Sequence, residues 1–578
     1  MGKKEKKDFK KKSFYFEDYN ELDLFDKQKN FKAIKVSLNR VTFLFFIFLS
    51  LLLIFGIKIT YLSLSSGKNF YNNNLKKNVI INRRDIVDRH GSILATNVTL
   101  YDVGVRPKLL NKNEKKNLLI KLSLLRPDLD LAKIKKKLNK DEFFSIAKRL
   151  TPKEKDQLWL IGNKAFVFDP KPSRIYPHKN LFSHVLGQTN DVNDGISGIE
   201  KFFDQDLNNK KKEGVPLSLT LDANLQYLIR EELAKAQKNF YNIGSAAILM
   251  KVEDGEILSL VSLPDYDLNQ RISIQDEVYS NKITLGVYEL GSVFKTFTIA
   301  AGLENKIIRP DTIFKNLESS LTCDKYTISE HDKLPENLSA EQILIRSSNI
   351  GAVRVAQKIG IEKYKDFLNS LKLLETIKFE LEEIGTPLSF RWGKCKLATT
   401  SFGHGITTTP LQLVKAYAIL SNGGYEIEPY ILKKNKDFKK KKRQIISQET
   451  SSSINLMLRK VVSTSEGTAN FADVEGYEVG GKTGTAIKYG SKAKLNTFVS
   501  MFPASNPEYA LLVMLDEPKP APNFIYEFPP SEKFPKGYKH KGEKRNTSGW
   551  NTVVVAGKII ERIGPILAIN NLQASSNF

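Results

Sequence analysis

Tyr288-Glu289-Leu290-Gly291-Ser292-Val293-Phe294-Lys295 runs straight into the apolar stretch Thr296-Phe297-Thr298-Ile299-Ala300-Ala301. A glycine, a serine, and then Phe, Ile, Ala and Leu at helical spacing predict a helix that starts near Ser292. Residues i and i+3 of a helix share a face, so the Lys295 amine can reach back to the Ser292 hydroxyl. A serine is a poor nucleophile until a neighbouring base takes its proton, and an amine screened from water can be that base. Free N–H groups at a helix start add positive potential where an oxyanion would form. Ser-x-x-Lys alone is a weak pattern, however, most often a helix cap followed by a solvated lysine.

Two further patterns lie downstream. Arg346-Ser347-Ser348-Asn349-Ile350-Gly351 sets the Ser347 hydroxyl and the Asn349 amide two residues apart, in a turn or at a helix start. Gly480-Gly481-Lys482-Thr483-Gly484-Thr485-Ala486 reads as a strand whose glycines leave room for another backbone. An extended peptide could add to that edge, its terminal carboxylate meeting Lys482 and the hydroxyls of Thr483 and Thr485. The order Ser-x-x-Lys, Ser-x-Asn, Lys-Thr-Gly on helix, helical block and strand is far more specific than any one of the three.

The surrounding pattern sets the fold class. Ser245 to Met250 and Glu256 to Ser262 read as strands joined by a tight Asp254-Gly255 hairpin. Strands return at Tyr477 to Lys488, Asn496 to Phe502 and Tyr509 to Leu515, and a helix is expected over Asn551 to Ile563. Hairpins rather than β-α-β crossovers predict an α+β domain, an antiparallel sheet flanked by helices. Lys519 to Trp550, rich in Pro and Lys, is expected as a long surface loop. Between Lys68 and Glu213 short strand-like runs alternate with Lys- and Leu-rich helical stretches, with no catalytic cluster. Arg83-Arg84-Asp85 and Asp88-Arg89 are the points expected there to pair internally.

The chain has 578 residues, enough for more than one domain, and a formal charge of +25. Such a charge first suggests nucleic acid. The excess is lysine scattered over the chain, with no zinc-finger cysteines, ribonucleoprotein motif or P-loop, so nucleic acid is not expected as a partner. Six scattered histidines offer no metal-ligand spacing, and no metal or cofactor is expected. Met1 to Arg40 is polar and reads as an irregular tail. Val41 to Ile57 carries no charge, and with Lys58 snorkelling the apolar stretch extends to Leu64, long enough to cross a bilayer. That length favours an uncleaved anchor over a signal peptide, and the preceding lysines place the N-terminus in the cytoplasm. The remainder is then exported. Cys323 and Cys395 are expected as lone thiols, although that compartment permits a bond between them.

The three motifs resemble those of penicillin-binding proteins and serine β-lactamases. Arg84-Asp85-Ile86-Val87-Asp88-Arg89-His90-Gly91 resembles the opening motif of the non-catalytic module of class B penicillin-binding proteins. Gly195-Ile196-Ser197-Gly198-Ile199-Glu200 with Phe203-Asp204 is similar to its later signature. Leu263-Pro264-Asp265-Tyr266-Asp267, Ser401-Phe402-Gly403-His404-Gly405-Ile406 and Thr409-Pro410-Leu411-Gln412-Leu413 resemble the transpeptidase domain. Ser347-Ser348-Asn349 and Ser401-Phe402-Gly403 are closer to the division-specific, penicillin-binding protein 3 type than to the elongation type. The resemblance spans about Asn82 to Ile563. Leu290 departs from the usual proline and His404 from a common tyrosine; neither touches a catalytic motif, and both are expected to alter the cleft wall.

The resemblance implies a tail over 1–40, an anchor over 41–64, a stalk or dimerisation domain over 65–214, a transpeptidase domain over 215–565 and a tail over 566–578. It implies acyl transfer. Ser292 attacks the D-Ala–D-Ala bond of a peptidoglycan stem peptide and Lys295 accepts its proton. Backbone N–H groups of Ser292 and Thr485 hold the oxyanion. Ser347 relays a proton to the leaving D-alanine, and Asn349 orients Lys295 and the substrate amide. Lys482, Thr483, Gly484 and Thr485 form the carboxylate-binding strand. A second stem peptide's amine resolves the acyl-enzyme, and β-lactams mimic the donor. Implied partners are division-complex proteins, including a polytopic membrane glycosyltransferase. An elongation-type enzyme, a silent β-lactam-binding scaffold, and a hydrolase that resolves the acyl group with water are the alternatives.

Overall fold

The computed structural model describes residues 27–65, 83–140, 142–270, 276–324, 326–434, 443–528 and 536–576. The chain forms two compact units, Met1–Ile80 and Ile81–Phe578. In the first, helix α1 (Lys27–Ser65) carries a 22-residue apolar span, Arg40–Tyr61. At 1.5 Å per residue that span covers roughly 33 Å, the thickness of a bilayer core. The helix is described from Lys27, inside the stretch read as irregular tail. Residues 1–26 of that expected tail lie outside the described part.

The second unit opens with a five-stranded sheet: β1 (Ile86–Val87), β2 (Ile93–Val105), β3 (Phe144–Leu150), β4 (Phe166–Ile175) and β5 (Leu217–Ser218). Long β2 bends through irregular register so that it pairs with β1 and β3 as well as antiparallel with β4. Its inward residues Val103 and Val105 join Leu118, Leu122, Ile134 and Leu138 in a separate small core. The arginines at the start of this unit do pair internally, but with partners over a hundred positions away. Fully buried Arg83 donates to Glu200 at 2.6 Å and to Asp204 at 2.7 Å, and Arg174 reaches Glu200 from the other side at 2.7 Å. Arg84 pairs with Asp206, and Arg89 lies 3.5 Å from Glu256.

After β5 come helix α2 (Ala223–Phe240) and the antiparallel pair β6 (Gly244–Lys251) and β7 (Ile257–Leu263), turning through Asp254-Gly255 as the sequence predicts. A helical block follows: α3 (Phe294–Glu304), the small hairpin β8 (Ser320–Cys323) and β9 (Tyr326–Ser329), α4 (Asn349–Ile359), α5 (Lys394–Thr400), α6 (Pro410–Ser421) and α7 (Gln448–Ser463). The chain then returns to the sheet as β10 (Gly480–Ile487), β11 (Lys494–Phe502) and β12 (Tyr509–Asp516). The sheet order is β10-β11-β12-β6-β7, every pair antiparallel, so β10 is an edge. Its strands are buried on both faces because α6 packs beside it and the C-terminal helix also covers it. Every residue of α3 from Phe294 to Gly302 is buried, as a helix apolar around most of its circumference must be.

Two expectations are corrected here. Lys519 to Trp550 is not simply a surface loop: β13 (Ala521–Phe528) and β14 (Tyr538–Glu543) form an antiparallel ribbon. Tyr526 and Phe528 pack on Phe471, from outside the segment, and on Trp550 at its end. Helix α8 (Thr552–Ser576) then closes the chain, running past the expected end. Cys323 and Cys395 are not lone thiols. They form a disulfide, Cα–Cα 5.6 Å, that ties the β8–β9 hairpin to α5 across 72 positions of sequence.

Candidate active site

The Ser292 segment begins not as an α-helix but as a 3₁₀ turn, Gly291–Val293, with α3 continuing from Phe294. The tighter turn lets the backbone approach strand β10. A Cβ on Gly291 would stand 2.7 Å from the Thr485 carbonyl oxygen, and one on Gly484 only 2.2 Å from that of Leu290. Gly291 also has φ +64°, a conformation in which glycine costs nothing. Below the turn, the buried Tyr417 hydroxyl donates to the Val293 carbonyl at 2.7 Å. Thr298 ties α3 to the Ser401 carbonyl at 2.7 Å, which carries the Ser-Phe-Gly motif to the same place.

Lys295 is fully buried, and its amine donates to Ser347, to the backbone carbonyl and to Oγ at 3.1 Å. Among the described residues no hydrogen bond joins it to Ser292, contrary to the helical-spacing expectation. Ser347 offers two acceptors at once because its backbone is left-handed, φ +59°, and a desolvated amine takes the richer partner. Burial pushes the Lys295 amine down to about 7, with the Glu330 charge acting in the opposite sense.

Lys482, also fully buried, projects from β10 and donates to the same Ser347 Oγ at 2.9 Å. Burial, and then the Lys295 charge, hold its amine well below the ordinary lysine range. Thr483 Oγ1 lies 2.8 Å from Thr468 Oγ1, and Thr485 Oγ1 accepts from the Ser548 N–H at 3.1 Å. Three distant segments thus meet around one hydroxyl, beside an unpaired strand edge.

Asn349 stands at the first turn of α4, capped by Ser348, whose Oγ accepts from Gly351 N–H at 2.9 Å. Its amide donates to the Ser329 carbonyl at 2.8 Å, and its buried Oδ1 has no hydrogen-bond partner among the described residues. The expected contact with Lys295 is not made among the described residues: the amide is drawn to the β8–β9 hairpin instead. Glu330, at the end of that hairpin, was not legible as a site residue, since no recognisable spacing surrounds it. His404, in place of the common tyrosine, lies 3.1 Å from Glu289, which raises its imidazole above the usual range. Leu290 is buried in the core.

A hydroxyl-bearing turn at the head of a buried helix, two desolvated amines and an open strand edge define the class of serine acyl-transferases. Residues 245–527 match the penicillin binding protein transpeptidase domain, and residues 81–215 the penicillin-binding protein dimerisation domain. Over 502 residues the chain is 31% identical to the probable peptidoglycan D,D-transpeptidase FtsI of Caulobacter vibrioides, covering 84% of this chain and 82% of that relative. It is 30% identical to the peptidoglycan D,D-transpeptidase FtsI of Buchnera aphidicola, over 83% of this chain and 91% of that one. Stage V sporulation protein D of Bacillus subtilis is 30% identical over 76% and 74%. A solved peptidoglycan synthetase from Bifidobacterium adolescentis shares the fold, TM-score 0.63, at 18% identity over 85% of this chain and 96% of that one. The chain belongs to the class B penicillin-binding proteins of the FtsI type, the peptidoglycan D,D-transpeptidases. Peptidoglycan as substrate and β-lactams as ligands come with that membership.

Proposed function

We propose that this chain cross-links stem peptides during septal wall synthesis, with Ser292 as its nucleophile. The reading is carried by one observation: Lys295 and Lys482, 187 positions apart by their numbers, both donate to Ser347 Oγ. Two buried amines so close cannot both hold full charge, so at neutral pH one is available as a base. Lys295 takes the Ser292 proton as Ser292 Oγ bonds to the penultimate D-alanine carbonyl carbon. The N–H groups of Ser292 and Thr485 stabilise the oxyanion, a role supported by the contact of Gly291 with the Thr485 backbone. As the C–N bond breaks, Ser347 passes a proton to the departing amine. A second stem peptide's amine then attacks the ester, forming the cross-link amide and returning the proton to Ser292.

Lys482, Thr483 and Thr485 bind the donor's terminal carboxylate, and Gly484, against which the Leu290 carbonyl packs, keeps that strand beside the Ser292 turn. The unpartnered Asn349 Oδ1 accepts from the donor's amide N–H. No metal or cofactor is part of this reading. Helix α1 anchors the enzyme in the inner membrane with its N-terminus cytoplasmic. Residues 65–214 form the stalk, and the division-complex partners, a polytopic glycosyltransferase among them, are reached through stalk and anchor. Labelling by a fluorescent penicillin, with Ser292→Ala as control, tests the nucleophile. Persistent labelling of the alanine variant would refute it. A fluorescent fusion forming a mid-cell band supports the septal assignment, and a uniform lateral pattern points to elongation.

A further inference from the structure

Glu330 follows Ser329 at the end of the β8–β9 hairpin and meets the N-terminus of α4. One carboxylate oxygen accepts from Ser348 Oγ at 2.6 Å and from the Ile350 N–H at 2.9 Å; the other accepts from the Asn349 N–H at 2.8 Å. The preceding Ser329 carbonyl takes the Asn349 side-chain amide. Ser329 and Glu330 together therefore fix both the backbone and the side chain of Asn349, and the chain reversal that holds Ser347 in its left-handed conformation.

Capping alone does not explain a carboxylate there. Ser348 already caps α4 through the Gly351 N–H, and a neutral side chain would complete that job without taking an acid partly out of water. The charged surroundings do explain it. Lys295 on α3 and Lys482 on β10 are both fully buried, and the Glu330 charge acts on Lys295. Next in the chain, His331 is held below the usual imidazole range by loss of hydration and by Lys295, against the pull of Glu330 and Asp332, with Lys494 acting like Lys295. Glu330 is thus a negative charge bonded to the start of the helix that carries Asn349 and near enough to act on Lys295.

We propose that Glu330 is a positioning residue of the acyl transfer, holding Ser347 and Asn349 in place through α4 and serving as counter-charge to Lys295. The inference rests on Ser292 and Lys295 acting as proposed above. The test is the second-order rate of acylation of the full-length enzyme by a fluorescent penicillin between pH 5.5 and 9. For Glu330→Gln, loss of the negative charge lets Lys295 deprotonate more readily, so the acid limb moves to lower pH by about one unit. Its plateau falls about tenfold as two backbone donors and a hydroxyl lose an ionised partner. Ser348→Ala, which breaks the hydrogen bonds to Glu330 and Gly351 but keeps the charge, lowers the plateau and leaves the limb in place. A Glu330→Gln plateau that falls while the limb stays put reduces the residue to a cap and overturns the proposal; so does an unchanged profile. Should Glu330→Gln fail to fold, Glu330→Asp, which keeps the charge but shortens the reach, carries the test: a lowered plateau with the limb in place supports the proposal, and an unchanged plateau, or a limb displaced despite the retained charge, rejects it. Labelling of Ser292→Ala would instead sink the underlying nucleophile assignment, so the two failures are distinguishable.

Discussion

Lys482 Nζ lies 2.9 Å from Ser347 Oγ, a hydroxyl that Lys295 also engages from the opposite wall of the cleft. A lysine buried on the sheet and another buried on the central helix are thereby linked through one oxygen. The arrangement costs stability, because each amine is removed from water without a carboxylate bonded to it.

That cost is measurable. The Lys295 amine is lowered from 10.5 to about 7 on folding, so the unfolded chain binds the extra proton and stability is lost as pH falls from 10.5 toward 7. Lys295→Met removes the penalty. It is expected to raise Tm by several degrees at pH 7, to flatten the rise of Tm between pH 7 and 10, and to abolish penicillin labelling. A Tm equal to or below wild type at pH 7 would contradict this, and melts across pH check it.

The contact between the Ser292 turn and β10 leaves no room for a side chain. Gly484→Ala puts a Cβ 2.2 Å from the Leu290 carbonyl oxygen, which must push the turn off the strand. Acylation is expected to fall by about a hundredfold or more, since displacements near 1 Å cost that much, with Tm lowered as well. A labelling time course and a melt measure both.

The Cys323–Cys395 disulfide pins the hairpin from which Ser329 and Glu330 reach α4. Cys323→Ser with Cys395→Ser is expected to cost roughly 2–4 kcal/mol and to slow acylation severalfold. Dithiothreitol should slow the wild type similarly and leave the double variant unaffected. A reductant effect of equal size on both proteins would exclude the disulfide as its cause.

In the stalk, Glu200 accepts from both Arg83 and Arg174, all three side chains fully or almost fully buried. Glu200→Gln leaves two buried guanidiniums short of counter-charge and is expected to cost about 3–5 kcal/mol. Tm should drop while labelling at low temperature persists, because the network lies outside the active site. Unchanged thermal unfolding would show the network to be energetically idle.

Much of this molecule was legible before folding was considered. Short apolar runs with their turn signals placed β6, β7, β10, β11 and β12, and an uncharged run of bilayer length placed the apolar span of α1, because both signals are local to the chain. Each of the three motifs contributes one side chain, Lys295, Ser347 or Lys482, to the cluster around the Ser347 hydroxyl. What the sequence could not carry were relations among residues far apart in the chain. These include the turn of Lys295 away from Ser292 to Ser347, the carboxylate of Glu330 beneath Asn349, the bond between Cys323 and Cys395, and the ribbon that Phe471 and Trp550 draw out of a Pro-rich stretch. Spacing fixes which residues share a face of one element. Which acceptor a buried amine chooses, and which thiol another thiol meets, depends on how separate elements pack, and that was decided only by the tertiary structure.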